Sequence, residues 1–207
     1  MIDDEDLTCR RKSASALLDS AQASEYVERF LTSEDAYLRR LAVSSKGATR
    51  EHRTLGIRDE NQSVCEAALQ SMNELNEPLD SEGLLVLMDR GIAGASLIHS
   101  VLEADGEALV KFATAAKGPT MKKFVKALKE RCDSPEDRLI KTLRDAQEWI
   151  VVGRWLQGLR GEQQDALRWE LIRNPNIDQI ERSRWIERLI GRCDEPILIE
   201  EARRFMN

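Results

Sequence analysis

Apolar residues recur at helical spacing along nearly the whole chain from Ser13 onward. Tyr26, Val27, Phe30 and Leu31 form one such face, and Tyr37, Leu38, Leu41 and Ala42 the next. Val64, Cys65, Ala68, Leu69 and Met72 form another, followed by Leu84, Leu85, Leu87 and Met88. Met121, Phe124, Val125 and Leu128 repeat the pattern, as do Ala166, Leu167, Trp169 and Ile172. Three-and-four spacing places each set on one side of an amphipathic helix. No segment alternates apolar and polar residues with β-branched enrichment, so strands are not expected. The pattern predicts an all-α protein of roughly a dozen helices.

Punctuation between these faces is compatible with helix ends. Thr32-Ser33-Glu34-Asp35 resembles a capping box, and Lys46-Gly47 a left-handed stop. Asn61 or Asp59 caps the helix that follows, and Pro78-Leu79-Asp80-Ser81 breaks the chain before the Leu84 face. A helix is expected over Ile92–Glu103, and another over Ala108–Ala116 ahead of Gly118-Pro119-Thr120. Ser134-Pro135-Glu136-Asp137 carries a cap, a proline and an acid in the order of a helix start, and that helix is expected to run to about Gln157. Glu162–Arg173, Ile177–Ile190 and Ile197–Phe205 complete the series.

The chain also echoes itself. Leu38-Arg39-Arg40-Leu41-Ala42-Val43-Ser44-Ser45-Lys46-Gly47-Ala48-Thr49 returns 71 residues later as Leu109-Val110-Lys111-Phe112-Ala113-Thr114-Ala115-Ala116-Lys117-Gly118-Pro119-Thr120. Ser33–Val43 returns after 26 residues as Asp59–Leu69. Self-similarity at such intervals marks stacked helical repeats. The copies are unevenly spaced, and nothing after Ser134 continues them. All four tryptophans, Trp149, Trp155, Trp169 and Trp185, fall in the last third. These shifts suggest an acidic lead at 1–12, a repeat region at 13–131 and a C-terminal subdomain or cap at 132–207.

Asp59-Glu60-Asn61-Gln62-Ser63-Val64-Cys65-Glu66-Ala67-Ala68-Leu69 resembles the second helix of HEAT-type repeats and of the leucine-rich-repeat variants. In those patterns an acidic or Asn turn precedes a Val-Arg pair and small packing residues. Val64 fits, Cys65 stands where Arg is usual, and in the earlier copy Leu38-Arg39 fits at both positions. The resemblance covers residues 30–75 and, more loosely, 105–130. It implies a short, irregular α-solenoid of helical hairpins with a bundle-like C-terminal end. It also implies a protein-binding scaffold, families of this kind including a minority that grip DNA along a basic face.

Charge refines this picture. The net charge is −6, but residues 1–103 carry 11 Lys/Arg against 19 Asp/Glu, net −8, while 104–207 carry 20 against 18, net +2. Such a balance argues against general nucleic-acid coating. Four widely spaced cysteines, Cys9, Cys65, Cys132 and Cys193, without a CxxC pair, suit a reducing compartment. Met1-Ile2-Asp3-Asp4-Glu5-Asp6 lacks the apolar core of a signal peptide, and a cytoplasmic location is expected.

Candidate chemistry is sparse. His52 and His99 lack metal-ligand or triad partners, Cys132 sits at an expected helix C-terminus, and no glycine-rich phosphate loop is present. No catalytic set, metal or cofactor is expected. The contact candidates are Lys117, Lys122, Lys123, Lys126, Lys129 and Arg131, with Lys122, Lys126 and Lys129 sharing one helix face. Glu34, Asp35, Asp59 and Glu60 form a possible acidic docking edge. The function expected is a non-enzymatic protein-binding module, such as a stoichiometric inhibitor or an immunity or anti-defence type protein that occludes its partner. A nucleic-acid-associated protein using the 117–131 helix is the alternative.

Overall fold

A computed structural model of the chain describes residues 6–20, 22–92, 94–190, 200 and 203–205. Described residues form α-helices, one 3-10 turn and no strand. None of the described helices is long and apolar enough to cross a membrane. Two compact units divide between Ile92 and residue 93, well before the change in composition at Ser134.

Unit 1 holds α1 (Leu7–Leu18), α2 (Ala23–Leu31), α3 (Ala36–Ser44), α4 (Arg50–Ile57), α5 (Gln62–Glu74) and α6 (Ser81–Asp89). Helix α1 starts ahead of Ser13 because the Asp6 carboxylate accepts the Thr8 and Cys9 N–H groups. Packing runs between next neighbours and next-but-one neighbours: α3 rests on α2, α1 and α5, α4 on α5 and α6. Val27, Phe30, Leu38, Ala42, Val43, Ile57, Val64 and Ala68 are excluded from solvent between these rows. Burial of each larger side chain among them stabilises the unit by about 1.5–3 kcal/mol.

Turn chemistry differs from expectation at three points. Helix α3 is capped by Asp35 alone, its carboxylate accepting Tyr37 N–H at 3.0 Å, and Ser33 accepts the Asp35 N–H. The reciprocal capping box occurs instead at α4: Thr49 accepts His52 N–H, and His52 Nδ1 accepts Thr49 N–H at 3.1 Å. Gly47 has no left-handed φ; an added Cβ there would lie 2.6 Å from Ser24 N and 2.8 Å from Ala23 C, so close approach to α2 demands glycine.

Unit 2 begins with the 3-10 turn Ala95–Leu97 leading into α7 (Ile98–Glu103), in place of one helix from Ile92. Then come α8 (Gly106–Ala115), α9 (Gly118–Arg131), α10 (Arg138–Asp145), α11 (Trp149–Trp155), α12 (Glu162–Arg173) and α13 (Gln179–Ile190). The helix expected from Ser134 to Gln157 is two. Its first turn is non-helical, Asp137 is the cap, and the chain reverses through Gln147 at φ +62°. Neighbour and next-but-one packing recurs, with α7 on α9, α8 on α10 and α9 on α11. Phe112 and Phe124 meet edge to face with centroids 5.1 Å apart. Trp155 is fully buried and donates from Nε1 to Cys132 O at 3.0 Å. Trp185 is buried against Gly153, whereas Trp149 and Trp169 are half-buried. Cys193, the acids at 3–5 and most of the expected Ile197–Phe205 helix lie outside the described residues.

Candidate macromolecular contact site

Helix α9 is built to present lysines. Met121, Phe124, Val125 and Leu128, at i, i+3, i+4 and i+7, are buried. Pro119 fits the first turn, where its missing N–H costs no helical bond, and Lys129 and Arg131 oppose the negative end of the helix dipole. Lys122, Lys123 and Lys126 are therefore left exposed on a helix whose other side is fixed by packing on α7 and α11. Lys117, the residue before α9, is exposed as well.

The six basic candidates do not act as one set. Arg131 is drawn to Glu103 of α7 at 2.5 Å, and that hydrogen bond holds the Glu103 carboxyl below its ordinary range. Lys126 pairs with Glu130 at 3.6 Å. Lys129 donates to Gln157 O at 2.6 Å, at the end of α11. Among the described residues no hydrogen bond or ion pair engages the side chains of Lys117, Lys122 or Lys123.

Beside the lysine row lies a cleft of about 380 Å³ lined by Gly118, Lys122, Val125 and Lys129 of α9 and by Arg154 and Gln157. Lys122 and Lys129 are two turns apart, about 10 Å along the axis. Arg154 faces the same cleft from α11, and its side chain has no partner among the described residues. Arg154 and Gln157 interrupt the apolar run Trp149–Leu159. Their spacing of three residues, with buried Gly153, Trp155 and Leu156 around Arg154, is the polar stripe that marks them.

The acidic candidates occupy two turns that Arg39 joins. Its Nη1 donates to Ser33 O and Glu34 O at 2.8 and 3.0 Å, and its Nε and Nη2 donate to the Asp59 carboxylate at 2.7 and 3.0 Å. Burial pushes the Asp59 carboxyl up, but the Arg39 fork and the Asn61 N–H outweigh it and hold it below its ordinary range. Asp35 is held low chiefly by Arg11, which grips it through two bonds of 2.9 Å. Both aspartates are thus committed within the unit, while Glu34 and Glu60 remain outward, Glu60 3.6 Å from Arg39.

No group of three metal-ligating side chains occurs among the described residues. Burial, followed by a hydrogen bond to Asp137, pushes the Cys132 thiol up to about 12, and burial raises the Cys65 thiol too. Such thiols stay protonated and unreactive near neutral pH. His52 is a cap and His99 an exposed residue of α7. The chain matches no protein-family model, no curated protein and no solved structure.

Proposed function

We propose that this protein is a non-enzymatic binding module, a short irregular stack of HEAT-like helical hairpins, which seats a partner protein over α9. Alternating packing of each helix on its neighbour and next-but-one neighbour supports the stacked-hairpin architecture. The observation that carries the functional assignment is the exposure of Lys117, Lys122 and Lys123, uncommitted, beside a helix face anchored by Met121, Phe124 and Leu128. A rigid base lowers the ordering cost of association, and uncommitted lysines attract an anionic partner. Occlusion of that partner, as a stoichiometric inhibitor or an immunity or anti-defence protein would achieve, is the mode of action that this surface suits.

Affinity capture from the native cell tests the proposal. A stoichiometric protein partner should be recovered with the wild type and lost with Lys117→Glu/Lys122→Glu/Lys123→Glu. Replicate captures at low salt that recover no protein, or recover it equally with the triple variant, overturn it. Recovery of nucleic acid in its place moves the assignment to a nucleic-acid-associated protein.

A further inference from the structure

We infer that the cleft between α9 and α11 is the anchor subsite for an acidic protein segment, whose carboxylates pair with Lys122, Lys129 and Arg154. The inference rests on the proposed partner-binding role of α9. Three cationic side chains from two elements line a cleft that no acidic side chain lines. Its floor includes Val125, 8% exposed, which gives the methylene stems of glutamates an apolar contact. The two-turn separation of Lys122 and Lys129 equals that of carboxylates seven residues apart on a partner helix.

A phosphate backbone fits less well. Lys126 and Arg131 are already paired with Glu130 and Glu103, so few cations remain for counterion release, and DNA-binding proteins that depend on it make about 6–10 phosphate contacts. Phe124, the aromatic residue of α9, is fully buried and offers no stacking surface to a base.

The test is fluorescence anisotropy with the full chain and a fluorescein-labelled peptide of repeated Glu-Glu-Ala-Ala blocks. A labelled mixed-sequence single-stranded oligonucleotide and inorganic phosphate serve as comparison and competitor. The peptide should bind the wild type at low salt, and Lys122→Glu/Arg154→Glu should weaken it about tenfold, the effect of losing two exposed charge pairs. Lys141→Glu, on α10 outside the cleft, should leave binding unchanged. Far-UV circular dichroism confirms that each variant is folded, which the exposure of Lys122, Lys141 and Arg154 favours. Absence of peptide binding overturns the inference, as does equal binding by Lys122→Glu/Arg154→Glu or tighter, phosphate-sensitive binding of the oligonucleotide. Loss of the native partner with Lys117→Glu/Lys123→Glu but full retention with Lys129→Gln/Arg154→Glu rejects the cleft while leaving the α9 function standing.

Discussion

Replacing Arg39 by alanine should cost unit 1 about 3 kcal/mol, although the residue is charged and sits in a pattern that reads as a helix surface. Arg39 is 9% exposed and makes four hydrogen bonds: two to the Asp59 carboxylate and two to the Ser33 and Glu34 carbonyls. Its removal leaves Asp59, only 12% exposed in its side chain, without its charge partner, and leaves two turn carbonyls to find water. Breaking a buried ion pair from one side costs about 3–5 kcal/mol, and the residual exposure of both partners favours the lower end. For a unit of this size each kcal/mol lowers Tm by about 4–8 °C, so the fall should be about 12–24 °C. Two probes separate the units. Tyr26 and Tyr37, the only tyrosines, lie in unit 1, and all four tryptophans lie in unit 2. Near-ultraviolet dichroism in the tyrosine band should report the early transition along with far-UV dichroism. Arg39→Met/Asp59→Asn should recover part of the loss, because no uncompensated charge is left. A loss below about 1 kcal/mol for Arg39→Ala would refute the assignment of this pair as a structural joint.

Other consequences follow from the same geometry. Gly153→Ala places a Cβ 2.6 Å from Trp185 Cε2 and 2.8 Å from its Nε1, so overpacking should cost about 1–3 kcal/mol and redden tryptophan emission; an unchanged Tm and spectrum would contradict the packing. Asp35 and Asp59 have native carboxyl pKa values below their unfolded ones, near 3.9, so acid is taken up first by the unfolded chain. Their stabilisation is therefore present at neutral pH and fades as pH falls below about 4: the urea-midpoint gap between wild type and Asp59→Asn should narrow from pH 6 to pH 3, and a constant gap would disprove the linkage. Iodoacetamide at pH 8 should label exposed Cys9 while sparing Cys65 and Cys132 until denaturant is added, as read by peptide mass mapping. Early labelling of Cys132 would mean that its thiol is neither buried nor raised.

Helical class and most helix positions were legible because they depend on local periodicity. Glu162–Arg173 is found at its expected limits, and the faces around Val64 and Phe124 are buried as their spacing requires. Helix breaks were less legible. The interruption at Ala146–Glu148 has neither glycine nor proline; Gln147 takes a left-handed conformation, and Glu148 N–H closes the turn on Leu143 O at 2.8 Å. Gly47 and Gly118, equivalent in the internal echo, do different work. The first permits close contact with α2, and the second holds φ +52° where α9 begins. A shared letter therefore recorded a shared helix–turn–helix outline but not a shared reason.

The candidate contact site was half legible for a physical reason that recurs through the chain. Charge runs identify which residues are cationic, but not which cations the fold itself consumes. Arg39, Arg53 and Arg168 are each within 9% of full burial and each donates to carbonyls of an interhelical turn: Ser33 and Glu34, Ala48, and Leu156 and Leu159 respectively. Arg53 further grips Glu77 at 2.6 and 2.7 Å, the same joint between a helix and a later turn that Arg39 makes with Asp59. Arginine suits that task because its planar fork satisfies several acceptors at once, whereas lysine is a mobile point charge. In α9 the exposed residues include Lys122, Lys123 and Lys126, and the single arginine, Arg131, is committed to a neighbouring helix through Glu103. Lys126 and Lys129 are consumed as well, by Glu130 and the Gln157 carbonyl, so what separates Lys117, Lys122 and Lys123 from the other basic residues of the 117–131 segment is that no group among the described residues engages their side chains.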